Sequence, residues 1–353
     1  MREKRENIVA ICERDIAGPA AACFGATRER LKKFADFEGC QNVVYEYERD
    51  GMPLILRISY RPDRPPEQIE AELDFVNYLA DHGVGVSRAV PSCNGRLLET
   101  LVAEGIRFIA VSFVKGKGMR VPDNGYRYRP GAPIEEYFQN WGRALGRMHA
   151  LAKRYRPAIS TLRRPDWFET DRFSNVEQRL PERLPIVRDK FRSLMEQLRS
   201  LPVDGDAYGL IHGDFNDGNF TVDYDTGDIT VFDFDDCCYF WFMYELACAW
   251  EGGVGRAMFQ PLVERQAFMA HYFEQVVEGY NRENFLTADW LARLPLFLQV
   301  VQMEEFLHYA QYIDEPDEEV QAGLRYKIRC IEEGIPYLGF FDSLYSPDRP
   351  FSA

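Results

Sequence analysis

The sequence predicts an α+β fold in two lobes. The smaller, N-terminal lobe is an antiparallel sheet with a helix, and the larger, C-terminal lobe is mainly helical. Three observations predict it. At 353 residues the chain is long enough for two domains or one two-lobed unit. Its first third alternates short β-prone runs with turn dipeptides and an amphipathic stretch. From Pro133 onward, apolar residues recur at helical spacing. A hydrophobic content of 46%, with 14% aromatics, supplies a substantial core.

Residues 28–37 can form a strand or a helix end, and the turn Gly39-Cys40-Gln41-Asn42 follows. Residues 43–48 read as a strand, Asp50-Gly51 as a hairpin turn, and residues 53–58 as the returning strand. Pro65-Pro66 suits the first turn of a helix that runs to about Asp81. Ile69, Leu73, Val76 and Leu79 form its apolar stripe. At about 100° per residue, Glu72 falls inside that stripe and Glu70 well outside it. A carboxylate on a buried face needs a cation, and Arg57 on the preceding strand is the candidate. Asn94-Gly95 predicts a second hairpin, between residues 89–91 and 97–100, and residues 106–114 read as the next strand. Lys115-Gly116-Lys117-Gly118 shifts the composition to small, flexible residues. The lobe boundary is placed there, dividing residues 1–114 from 115–353.

In the second lobe Tyr137, Trp141, Leu145, Met148 and Leu151 form a helical core face, and His149 beside them reads as structural. Residues 181–201 predict a helix with a basic face. Residues 250–280 and 288–312 predict amphipathic helices, and 320–331 a final one. The proline-bearing tail, 342–353, reads as loose. Trp241, Phe242, Tyr244, Trp250, Tyr309 and Tyr312 stand near Glu304, Glu305 and Asp314. Aromatic faces with carboxylates suit an amine-bearing ligand, and equally suit a core bordered by a solvated helix.

A formal charge of −14 disfavours a nucleic-acid surface, which runs on clustered Lys and Arg. It favours a cationic or neutral acceptor over an anionic one, and it equally suits simple solubility. No stretch approaches the roughly 20 apolar residues of a membrane span. The charged N-terminus leads into no signal segment. Eight cysteines without a CxxC pair fit reduced thiols in a cytoplasmic protein and argue against a zinc site.

The densest chemistry lies in Ile211-His212-Gly213-Asp214-Phe215-Asn216-Asp217-Gly218-Asn219 and, downstream, Ile229-Thr230-Val231-Phe232-Asp233-Phe234-Asp235-Asp236. A hairpin centred near Thr226 folds position 219 back opposite position 233, to within one residue. Asn219 and Asp233 then sit side by side, with Asp214 on the loop before the first strand. Two carboxylates and an amide oxygen suit a hard divalent cation such as Mg²⁺. Phosphoryl transfer uses such a set: one carboxylate takes the proton of an attacking hydroxyl, and oxygen ligands hold the metal that bridges the nucleotide phosphates. Asp and Asn also cap turns. The joint spacing decides for the chemistry, since protein-kinase catalytic loops place the base Asp five residues before a metal-binding Asn.

His-Gly-Asp-x-x-x-x-Asn followed by a hydrophobic-Asp-Phe stretch resembles the aminoglycoside phosphotransferase/choline kinase-like superfamily, whose fold is protein-kinase-like. The resemblance covers roughly residues 31–312 and implies ATP with Mg²⁺. It implies Asp214 as catalytic base and Asn219 with Asp233 as metal ligands. It also implies that the first turn, with Gly39 and Asn42, lies over the nucleotide phosphates. Arg57, fixed by Glu72, would steady them. Backbone groups from Ser112 to Val114 would contact the adenine. His212 is expected to brace the loop, and Gly213 to allow its tight backbone. Asp235, rather than Asp236, is expected to join the metal shell or brace the loop. The family's usual Asp-Leu-Ala is here Glu245-Leu246-Ala247, which leaves the role of Glu245 open. The expected activity is transfer of the γ-phosphate to a hydroxyl of a small molecule, with amine-bearing acceptors among the candidates. A Ser/Thr protein kinase of the bacterial stress-response type and a nucleotide-binding pseudokinase are the alternatives.

Overall fold

The computed structural model describes residues 2–34, 42–62, 64–159, 162–257 and 259–335. Gly39 and the tail 342–353 lie outside them. The chain opens with two helices, α1 (Arg2–Ile11) and α2 (Ala17–Cys23), joined by the π-helical turn Cys12–Ile16. The sequence reading left this region unassigned. Its small residues carry the explanation: Ala17, Ala20 and Ala21 are buried and let the helix lie close on the sheet.

The sheet has six strands: β1 (Lys32–Lys33), β2 (Asn42–Arg49), β3 (Met52–Ser59), β4 (Ala89–Val90), β5 (Leu98–Ala103) and β6 (Ile106–Val114). β2 and β3 pair from Asn42↔Ser59 to Arg49↔Met52. Asp50 (φ 54°) and Gly51 (φ 77°) close the hairpin with two left-handed residues, which matches the strand twist. Asn94-Gly95 does not join paired strands as expected. β4 and β5 both pair with β6, on successive parts of its length, and the turn merely carries the chain from one to the other. The second true hairpin turn is Glu104-Gly105 (φ 50° and 76°), which lacks the Asn-Gly or Asp-Gly signature.

Side chains alternate across a strand. Leu54, Leu56 and Ile58 of β3 pack with Ile16, Ala20 and Phe24 from the N-terminal helices. Arg57 between them therefore faces the other side, which is covered by α3 (Pro66–Asp81). Ile69 and Leu73 of α3 pack against Ile109 and Val111.

The second half is helical around two short ribbons. α4 (Ile134–Ala152), α5 (Val176–Arg179) and α6 (Pro185–Ser200) precede β7 (Tyr208–Ile211). Then come β8 (Phe220–Val222), β9 (Ile229–Val231) and β10 (Cys238–Trp241). α7 (Phe242–Ala257), α8 (Arg265–Asn281), α9 (Ala288–Leu291), α10 (Leu294–Tyr309) and α11 (Glu318–Glu333) complete the fold. The helix expected over 250–280 is two helices, because Pro261 cannot continue the first. The helix expected over 288–312 is likewise divided, and α10 restarts with Pro295 in its first turn.

α4 and α8 touch through glycines. A Cβ on Gly142 would lie 1.8 Å from the carbonyl oxygen of Val276, and one on Gly279 2.0 Å from that of Gln139. Backbone cannot move aside cheaply in a packed interior. Gly142→Ala is expected to lower unfolding stability by about 3 kcal/mol, and urea denaturation checks this.

Candidate active site

Nested pairing builds the site. β7 pairs with β10 (Ile211↔Cys238), and β8 pairs with β9 (Phe220↔Val231). The loops 212–219 and 232–237 are what the chain leaves between the two ribbons, so they face each other. Asn219 stands opposite Phe232, whose amide donates to its carbonyl at 2.9 Å, and Asp233 is the next residue. β9 is tied back to the first lobe. Val231 N donates to Gly85 O and Ser87 N to Val231 O, each at 2.8 Å.

The first loop is held from several sides. His212 is buried, its Nε2 is 2.9 Å from Phe232 O, and Asp214 N donates to its Nδ1 at 3.2 Å. That pattern needs the tautomer with its proton on Nε2. Gly213 has φ 89°, and a Cβ there would meet Asp236 O at 2.3 Å, so only glycine fits. The Asp214 side chain is exposed. Its Oδ2 accepts from Asn219 Nδ2 at 2.8 Å and its Oδ1 from Asn216 Nδ2 at 3.0 Å. With Nδ2 of Asn219 committed to Asp214, its Oδ1 is the atom left for a cation.

Glu245 answers the question left by its departure from the family pattern. It is fully buried and accepts from Gly213 N at 2.7 Å, His212 N at 3.3 Å and His149 Nε2 at 2.8 Å. His149 Nδ1 lies 3.0 Å from Tyr280 Oη, which accepts from Asn284 at 2.7 Å. Burial pushes His149 below the usual imidazole range. Burial alone would raise Glu245, but its hydrogen bond from His149, the neighbouring imidazoles of His149 and His212 and the Gly213 amide hold it below the usual carboxyl range. The pair is a carboxylate accepting from a neutral imidazole.

Arg57 and Glu72 meet as a buried bidentate pair, with Nη1–Oε1 2.8 Å and Nη2–Oε2 3.0 Å. Arg57 Nη1 also lies 3.8 Å from Asp233. Asp233 adopts a left-handed backbone (φ 65°). Desolvation pushes its carboxyl up to about 7; Arg57 opposes the rise, and the charges of Asp235, Glu72 and Asp214 add to it. The side chain is still 44% exposed, so solvent screening trims that rise. Asn42 and Ser112 are tied within the sheet. Ser59 Oγ donates to Asn42 Oδ1 at 2.7 Å, and Ser112 shares a hydrogen bond of 2.7 Å with Tyr47. Val114 N donates to Arg88 O at 2.8 Å, which commits its amide within the fold.

Asp235 and Asp236 bind arginines. The Asp235 carboxylate lies 3.1 Å from Arg61 and 3.0 Å from Arg64, and its carbonyl accepts from Arg164 at 2.6 Å. Asp236 takes Arg64 at 2.6 Å and Arg172 at 2.8 Å. Burial works against both carboxylates. Arg57, Arg64 and Arg61 nonetheless hold Asp235 below its usual range, and Arg172 with Arg64 holds Asp236 there. Asp235 thus braces the loop. Sequence reading missed Arg61, Arg64, Arg164, Arg172 and Asn216. Asn216 alone carried a signal, lying inside the motif. A cavity of about 630 Å³ borders this cluster, lined by Arg172, Asp236 and Glu304 together with Thr170, Asn175 and His308.

Among the described residues no three His, Cys, Asp or Glu side chains are grouped to hold a metal unaided. The Asp233 carboxylate, crowded by negative charge, and the Asn219 amide oxygen form an all-oxygen donor set that fits a hard cation completed by phosphate oxygens. No helix among the described residues is long and apolar enough to cross a membrane.

Comparison with known proteins places the chain in a family. The family model described as the phosphotransferase enzyme family matches residues 35–295. The chain is 31% identical over 337 residues to the amicoumacin kinase of Bacillus subtilis (strain 168), covering 93% of this chain and 94% of that one. It is similar to the solved structure of amicoumacin kinase hAmiN in complex with AMP-PNP, Ca²⁺ and Ami. There the TM-score is 0.83 at 28% identity, over 96% of this chain and 98% of the other. It shares its fold with a microcompartment-associated aminopropanol kinase, with a TM-score of 0.68 at 23% identity over 90% and 94% of the two chains. The chain belongs to the phosphotransferase enzyme family, and its protein-kinase-like fold serves a kinase that acts on a small-molecule hydroxyl.

Proposed function

We propose that this protein moves the γ-phosphoryl group of Mg-ATP to a hydroxyl of a hydroxylated amine, with amicoumacin the first acceptor to test. One observation carries the reading. An exposed carboxylate, Asp214, has each oxygen held by an amide, and one of those amides belongs to Asn219, which is bonded to Phe232 next to a second carboxylate, Asp233. The nucleotide would lie between residues 1–114 and 115–353. Arg57, fixed by Glu72, would steady the phosphates, with Gly39 and Asn42 nearby and the backbone around Ser112 and Val114 against the base. Asn219 Oδ1 and Asp233 would hold Mg²⁺. Held by those two residues, a divalent cation would supply positive charge to offset that of the phosphates. Asp214 orients the acceptor hydroxyl and takes its proton. The cavity of about 630 Å³ beside the loop is large enough for a drug-sized acceptor.

The net negative charge of the chain supports an amine-bearing acceptor, and the cavity, lined by Glu169, Asp171, Asp236 and Glu304 beside Arg61, Arg64, Arg164, Arg172 and Arg179, offers carboxylates to an amine and guanidinium groups to phosphate. The seven described cysteines are unpaired thiols, which with the use of ATP supports a cytoplasmic setting. The test is incubation with Mg-ATP and a panel of amicoumacin, aminopropanol, homoserine and an aminoglycoside, read by mass spectrometry. Gain of one phosphoryl group on an amino alcohol supports the reading; ATP binding with no phosphorylated acceptor counts against it. Replacing Asp233 by Asn should raise the Mg²⁺ concentration for half-maximal rate at least about tenfold, since loss of even an outer-shell partner costs that much. A cation titration of the rate checks this.

A further inference from the structure

We infer that Arg172 is a positioning residue for phosphoryl transfer, whose guanidinium pins the peptide preceding Asp214 to the Asp233–Asp236 loop and to α10. The inference rests on the reading above that Asp214 is the base. Arg172 lies on the segment joining α4 to α6, far from the motif in sequence. Its Nη1 donates to the Gly213 carbonyl, and lies 3.0 Å from Glu304 Oε1 and 3.3 Å from Tyr244 Oη. Its Nη2 donates to Asp236 at 2.8 Å. Burial opposes the charge, yet Glu304, Tyr244, Asp236 and Asp214 together keep Arg172 protonated.

The peptide between Gly213 and Asp214 is the part that matters. Its carbonyl is taken by Arg172, and its N–H is taken by His212 Nδ1. A peptide is planar, so holding both ends fixes the plane from which the Asp214 side chain departs. Glu245 then fixes the preceding amide, Gly213 N. His212 and Glu245 come from the motif and the helix after it, but the carbonyl end depends on Arg172. A planar fork can serve several acceptors at once, which an ammonium on a flexible stem does not reproduce.

The experiment uses the full chain with Mg-ATP and the acceptor that wild type phosphorylates best. Arg172→Ala should lower kcat about 100-fold, the cost of a misplacement near 1 Å, with the nucleotide Kd changed less than about threefold. Arg172→Lys keeps charge and most of the volume, so folding is preserved, and should lose about tenfold in kcat because the fork is gone. Millimolar guanidinium should restore part of the rate of Arg172→Ala. A kcat within about twofold of wild type in either variant overturns the assignment, as does a lowered melting temperature with kcat unchanged. If wild type phosphorylates no acceptor, the kinase reading fails first. Arg172 is then judged on ATP hydrolysis to water, where the same losses are expected and unchanged rates again overturn it.

Discussion

Asp214→Asn abolishes transfer while leaving nucleotide binding close to that of wild type. The expected fall in kcat is about 10³-fold, within the usual range for a general base removed from a transition state. The change removes the proton acceptor and keeps the size of the side chain. Asn216 and Asn219 each donate an amide N–H to one oxygen of the carboxylate. An amide at 214 turns one of those oxygens into a donor facing a donor, so Asp214→Ala is the companion variant. Single-turnover phosphorylation with saturating Mg-ATP measures the chemical step, and calorimetry measures nucleotide affinity. Turnover within about tenfold of wild type in both variants would end the assignment of Asp214 as base.

Removal of the Glu245 carboxylate should be the most damaging change to the fold around the site. Glu245→Leu leaves the amides of His212 and Gly213 and Nε2–H of His149 facing hydrocarbon, all of them buried. Each unsatisfied buried donor costs about 1–3 kcal/mol, so a loss near 5 kcal/mol is expected with kcat falling alongside. Glu245→Asp should not rescue it, because the carboxylate retreats by one methylene from three donors placed for the longer side chain. The pH dependence has a definite sign. The folded carboxyl titrates below its usual value. Its contribution is therefore complete above the unfolded value of about 4.3 and disappears as pH falls through the lower, folded value. Urea unfolding below about pH 4.3 should show that loss in wild type and a flatter profile in Glu245→Leu. Equal acid sensitivity in both would remove Glu245 as the source.

The motif and the alternation of β3 made several partners legible in advance. Arg57 lies between two residues that pack toward the N-terminal helices, and Glu72 interrupts the apolar face of α3; the two meet at 2.8 Å. The hairpin count put Asn219 within one residue of its cross-strand partner because a two-residue alternation tolerates little error. Helix ends were less legible: α7 and α8 ran together in the sequence reading because apolar spacing continues across Pro261. The N-terminal helices were missed because half of their fully buried residues, Ala17, Ala20 and Ala21, are alanines, which carry little hydrophobic contrast.

Local order along the chain was enough to name the fold class, most strands and helices after residue 42, and the grouping of Asp214, Asn219 and Asp233 on neighbouring loops. These follow from short-range rules of turn, period and spacing. Folding in space decided how the site is held: the five arginines at Asp235 and Asp236, the grip of Glu245 on the loop 212–219, and the shared partnership of β4 and β5 with β6. Such contacts join residues many positions apart through long side chains with many rotamers. No periodic signal encodes where a guanidinium will end, so only the packed arrangement of the loops brings Arg172 to the peptide before Asp214.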